Sequence, residues 1–156
     1  MNEFALVRAL HVLGVVLWIG GVAFVTAVLL PAVQRFAKPG EQVVFFEQIE
    51  SRFAGQARWM TALVGITGLW LTWRFGLWTR FVETRFWWMH AMVIVWLLFT
   101  VMLVVVERLF RHRRLRERSR RDPGGTVALI KRLHWMLLAL SLVTVFGAVA
   151  GSHGGL

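Results

Sequence analysis

The sequence predicts an all-α integral-membrane protein, a four-helix bundle, on three observations. Of its 156 residues 58% are apolar without counting glycine, against ~45–50% with glycine in a soluble domain. The apolar residues gather in four long runs, and at ~20 residues per crossing four spans and their connections use residues 1–156 as a single membrane domain. The basic residues are unevenly shared between alternate connections, the mark of a chain threaded through a bilayer. Inside hydrocarbon the backbone must satisfy its own polar groups, so each run is read as a helix.

The first span covers about residues 4–33, interrupted only by Arg8 and His11. It is longer than the apolar region of a signal peptide and lacks a small-residue cleavage site. Val43, Phe46, Ile49 and Phe53 then recur at helical spacing among Glu41, Glu47 and Arg52. That pattern predicts an amphipathic helix at about 40–54 lying in the membrane interface, started by Pro39-Gly40 and ended by Gly55. Span two follows at about 59–78, with Arg74 close enough to its end to snorkel outward. A short turn over 79–85 leads to span three at about 86–106. Residues 107–132 read as an Arg-rich cytoplasmic loop, and span four covers about 133–150.

Arg8, Arg74, Arg80 and Arg85 stand on the side that holds both termini, and the other fourteen basic residues stand opposite, ten of them within 108–132. Both large loops are therefore expected in the cytoplasm and both termini in the periplasm, as in a multi-pass protein of the bacterial inner membrane. The run Arg111, Arg113, Arg114, Arg116, Arg118, Arg120, Arg121 would suit nucleic acid in a soluble protein. Between two spans it marks topology and attraction to anionic lipid, and no nucleic-acid partner is expected. Trp73, Trp78, Trp87 and Trp88 read as an interfacial belt. Cysteine and tyrosine are both missing, which excludes disulfides, thiolate metal sites, iron–sulfur clusters and tyrosyl radicals. Redox work would have to come from a bound cofactor.

Ionisable residues inside spans point to function. His11 lies three residues past Arg8 and His90 five past Arg85, on helices that both run inward. With the arginines at one depth the imidazoles differ by two residues, ~3 Å along the axis. Two neutral imidazoles at one level suit the two faces of a b-type haem. Gly14, Trp18 and Gly21 continue the His11 face, with glycine allowing close approach, Trp18 offering an aromatic wall and Arg8 available to a propionate. The alternative for each histidine is a hydrogen bond to a neighbouring helix, and a stripe of Thr61, Gly65, Gly68 and Thr72 in span two reads as small-residue helix contact. His153 lies nineteen residues beyond His134, ~28 Å along a continuous helix. With His11, His90 and the thioethers Met89 and Met92 it would make a Cu(I) site. At the inner end His134 and Met60 are the residues a second haem would use. The other reading sets His134 beside Trp135 and Trp59, against a lipid phosphate or a quinone head group. His112 is expected to be solvated.

The string Ala9-Leu10-His11-Val12-Leu13-Gly14, followed by Leu17-Trp18-Ile19-Gly20-Gly21 and Pro31, resembles the opening helix of CopD-type copper-resistance membrane proteins. It is also similar to HemJ-type protoporphyrinogen oxidases, small four-helix proteins associated with haem. Trp87-Trp88-Met89-His90-Ala91 resembles the third helix of the same broad group. The resemblance implies His11 and His90 as haem or metal ligands. The expected function is a membrane b-type haem protein in electron transfer or quinone-linked redox, holding haem b near the periplasmic face and acting as a haem-dependent oxidoreductase if it is an enzyme. A copper-binding or copper-import protein, a protoporphyrinogen-oxidase-like enzyme, and a structural subunit are the alternatives. Expected partners are the bilayer, a quinone or redox protein, and a second copy of the chain.

Overall fold

The computed structural model describes residues 2–38, 40–106 and 114–153, and every element among them is helical. Helix α1 runs Glu3–Phe36. Asn2 caps it, accepting from the Phe4 N–H at 3.2 Å. A π turn over Val25–Leu29 precedes Pro31 and ends with the Leu30 N–H on the Val25 carbonyl. Proline cannot donate and crowds the preceding turn, and the wider turn carries the helix past it unbroken.

Helix α2 is one piece, Gln42–Arg74. The sequence reading of an interfacial helix at 40–54 separate from a span at 59–78 is thereby corrected. Glycine in a helix is only about 1 kcal/mol worse than alanine, so Gly55 alone is a weak stop. Ala54 and Ala57, 0% and 2% exposed, hold the helix in the core on either side of it. Nor does the first half of α2 lie flat on the surface. Val43 and Phe46 are buried with Val25, Leu29, Leu30 and Val33 of α1 and with Val127 and Ile130 further along the chain. Pro39, the expected start, lies outside the described residues.

Helix α2 ends at Arg74, four residues before the expected end of that span at Trp78; Gly76, with φ of 60°, turns the chain out of it, and short 3₁₀ turns Leu77–Phe81 and Thr84–Phe86 follow. Helix α3 is Trp87–Val101, continued by a π turn Met102–Val106. Residues 107–113, including Arg108, Arg111, His112 and Arg113, lie outside the described residues. The rest of the expected Arg-rich loop is helical: α4 is Arg114–Arg121, and α5 runs Pro123–Ser152. Helix α5 starts well before residue 133 because Asp122 accepts from the Gly125 N–H at 2.9 Å and Pro123 occupies the first turn.

Among the described residues three helices are long and apolar enough to cross a membrane: Glu3–Phe36, Thr84–Val104 and Pro123–Ser152. Helix α2 is more polar, with Glu47, Glu50, Arg52 and Arg58 in its first half and Thr61, Thr67 and Thr72 in its second. It packs antiparallel to α1: a Cβ at Gly14 would lie 2.9 Å from Val64 Cγ2, and one at Gly21 would overlap the Phe53 ring. Helices α3 and α5 pair similarly, with Trp87 over Gly147 and Trp88 over Gly151. The two pairs meet in a core that includes Trp18, Val64, Val95, Phe99 and Leu138. Val16, Ile66, Leu69, Ile94, Val143 and Phe146 are exposed on the outer faces, as expected of surfaces that meet acyl chains.

Candidate functional site at the terminal end of the α1–α2 seam

The start of α1 and the end of α2 meet at one end of the molecule, where Phe4 stands edge-on to Phe75 with ring centroids 4.6 Å apart. Two turns in from there, His11 lies on the face of α1 that also carries Gly14 and Trp18, and it is half-buried against α2. Its Nδ1 is 2.9 Å from Thr67 Oγ1. The Thr67 hydroxyl is 2.6 Å from the Leu63 carbonyl and 3.2 Å from that of Val64, and its single hydrogen is directed to those acceptors. His11 is therefore the donor in the histidine–threonine bond. That assigns the tautomer with Nδ1–H protonated and leaves the Nε2 lone pair to accept a further bond. Gly68 makes the approach feasible, since a Cβ there would lie 3.1 Å from His11 Cε1. Thr67 was not singled out from the sequence, although its neighbours Gly65 and Gly68 were.

His90 has different surroundings. The buried face of α3 contains Trp88, Val95 and Phe99, and at 100° per residue His90 is about 200° round from Trp88. It is exposed on the side that bears Ile94, Leu97 and Val101, with its ring edge-on to Phe81 at 5.4 Å. The expected equal depth therefore would not bring His11 and His90 face to face within one chain. His153 closes the end of α5, its Nδ1 2.8 Å from the Val149 carbonyl, and is exposed. Met89 is buried in the core and Met92 half-buried, both away from the His90 face. No group of three or more His, Cys, Asp or Glu side chains converges among the described residues. The expected copper set therefore does not gather around one point. Residues 154–156 lie outside the described residues.

Trp18 is 3% exposed and stands edge-on to Phe99 at 4.9 Å, so it is a core residue one layer below His11 and no wall to it. In that layer Trp18 Nε1 and Thr61 Oγ1 are buried without a hydrogen-bond partner among the described residues. Arg8 lies 5.9 Å above the Phe4 ring, and Arg80 and Arg85 lie over Phe86 at 5.1 and 4.6 Å. Arg85 also meets Glu83 at 2.6 Å. These arginines rim the end nearest His11. At the opposite end the His134 Nδ1–H donates to the Ile130 carbonyl at 2.9 Å, and its ring meets Phe46 edge-on at 5.7 Å. Met60 is half-buried against the core around Trp18. His134 is therefore turned into the molecule, against a phenyl ring and its own helix.

Of the histidines expected as ligands, His11 is the one anchored through one ring nitrogen to a neighbouring helix, as metal-bound histidines ordinarily are. His11 and His90 do not form a two-histidine clamp within one chain. Comparison with protein-family models, curated proteins and solved structures gives no match.

Proposed function

We propose that the chain is a four-span protein of the bacterial inner membrane that holds a b-type haem through His11 and serves electron transfer. The observation that carries this reading is the His11–Thr67 hydrogen bond of 2.9 Å, which leaves Nε2 unprotonated. Thr67 orients the imidazole and raises its basicity, Gly68 gives the ring room, and the exposed apolar side chains around the helices keep this end of the seam in lipid. A haem so bound supplies reversible one-electron chemistry, with its potential set by ligand and surroundings. Arg8 and Arg85, at the same end, are the cations for its propionates, and a quinone or redox protein is the electron partner.

The test is an absorption spectrum of the detergent-purified protein, oxidised and reduced, from cells supplied with haem precursor. Stoichiometric haem is expected, and colourless protein would refute the assignment. Thr67→Val should weaken haem retention about 10- to 100-fold and Thr67→Ser should restore it, the range found when partners of metal-bound histidines are removed. Equal retention in the valine variant would show that Thr67 does not position a ligand.

The fourth crossing in this reading is the second half of α2. Residues 59–74 would rise ~24 Å, and Ile66 and Leu69 on their outer side are 69% and 62% exposed, which suits contact with lipid and not with water. The excess of basic residues on the far side supports both termini in the periplasm. A phosphatase fused after Leu156 should be active and a fluorescent protein there dark. The reverse result would put His11 at the cytoplasmic face.

A further inference from the structure

We propose that the groove between the end of α1 and the first half of α5 binds one anionic phospholipid, with Lys131 and Arg132 on its phosphate and Trp135, Met136 and Ala139 along an acyl chain. The proposal depends on the helices crossing a membrane and is independent of haem. The groove has a volume of about 710 Å³ and is completed on the α1 side by Gln34. Lys131 Nζ donates to Gln34 Oε1 at 3.4 Å, which ties the two helices across its head and holds the ammonium at the rim.

The lining is ordered along the axis as an amphiphile is. Lys131 and Arg132, with Ala128 one turn before them, form the charged end, and no acidic side chain among the described residues lines the groove. Trp135 and Met136 lie one turn further on, 48% and 59% exposed, and Ala139 one turn beyond them. From Arg132 to Ala139 is ~10 Å along the helix, so a phosphate on the cations lays the first carbons of a chain over the indole, the thioether and the alanine. A tryptophan one turn inside a basic pair is also where the boundary between head groups and hydrocarbon is expected. The occupant is therefore a lipid with a net negative head group rather than a free anion, for which the apolar strip would have no use, or a zwitterionic lipid, whose own cation meets the two basic residues. His134, the residue the sequence placed against lipid phosphate, is turned onto Phe46 and leaves that role to its two predecessors.

The experiment is native mass spectrometry of the full chain, stripped of lipid and then offered equal amounts of phosphatidylglycerol and phosphatidylcholine. One phosphatidylglycerol is expected to remain bound, with about tenfold preference. The double variant Lys131→Gln/Arg132→Gln should reduce it at least tenfold, about fivefold for each cation removed. The charge-preserving Lys131→Arg/Arg132→Lys should keep it, as should Arg118→Gln/Arg120→Gln/Arg121→Gln on α4. Equal retention of the two lipids, or equal loss in the α4 variant, would mean diffuse attraction to a basic surface and overturn the site. So would loss in the charge-preserving variant. Displacement of the lipid by an equal concentration of inorganic phosphate would show an anion site and overturn the lipid assignment.

Discussion

His11→Ala should leave the purified protein without haem, while His90→Ala should keep the wild-type amount and spectrum. The contrast follows from surroundings: Thr67 holds the Nδ1 of His11, which makes Nε2 the ligating nitrogen in the proposed site, whereas His90 stands on the exposed side of α3 against Phe81. A single axial imidazole predicts a high-spin ferric spectrum, which the two variants read directly. A low-spin spectrum lost in both variants would require His90 of a neighbouring copy on the iron and would end the one-chain assignment. Haem kept in full by His11→Ala would remove the basis of the proposed function.

The second large effect concerns α2 against α3. A Cβ at Gly65 would lie 2.5 Å from Trp96 Cζ2 and 2.8 Å from its Nε1, and that Nε1–H donates to the Thr61 carbonyl at 2.8 Å. Gly65→Ala must displace the indole and break its hydrogen bond. Overpacking of ~1–3 kcal/mol and a lost bond of ~1 kcal/mol together give about 3 kcal/mol. In a chain of this length that lowers the thermal midpoint by about 10 °C. Adding Trp96→Phe should recover part of the loss, because the smaller ring clears the new methyl group. Gly55→Ala, where nothing lies within 4 Å of the new Cβ, should be neutral or stabilising by up to ~1 kcal/mol. An unchanged midpoint in Gly65→Ala would contradict this contact.

The helices themselves were largely legible, since runs of apolar residues this long leave the backbone few choices. The direction each helix faces was legible only in part. Gly14 and Trp18 were placed on the His11 face by spacing, and all three do share it. In α3 the same arithmetic addressed the depth of His90 and left its azimuth open. Both Trp88-Val95-Phe99 and Ile94-Leu97-Val101 are apolar, and in a span that faces lipid on one side and protein on the other hydrophobic periodicity is nearly flat. The signal that could have oriented α3 is size: Trp87 and Trp88 opposite Gly147 and Gly151 make a large-to-small match between two helices. The early start of α5 was written in Asp122-Pro123, a cap followed by a first-turn proline, and was masked by the arginines before it. Thr67 carried no such mark. A threonine in a helix usually bonds its own backbone, and only the register of α1 on α2 makes this one a partner for His11 as well.

The π turn of α1 has a consequence for how the chain can change its length. Gly14, Trp18, Val22, Thr26 and Leu30 are all buried at intervals of four residues. In an α-helix each such step overshoots a full circle by ~40°, and four steps would carry the last residue ~160° away from the first. The wide turn at Val25–Leu29 unwinds the helix and returns Leu30 and Val33 to the side where Phe46 and Ile130 wait. One residue there is in excess of α-helical register, as though inserted into a regular ancestor. A deletion that removed that extra residue would restore the regular turn and leave everything after it in place, whereas a deletion elsewhere in α1 would swing the end of the helix by about 100°, so this segment is where α1 can lose a residue and still keep Leu30 and Val33 against Phe46 and Ile130.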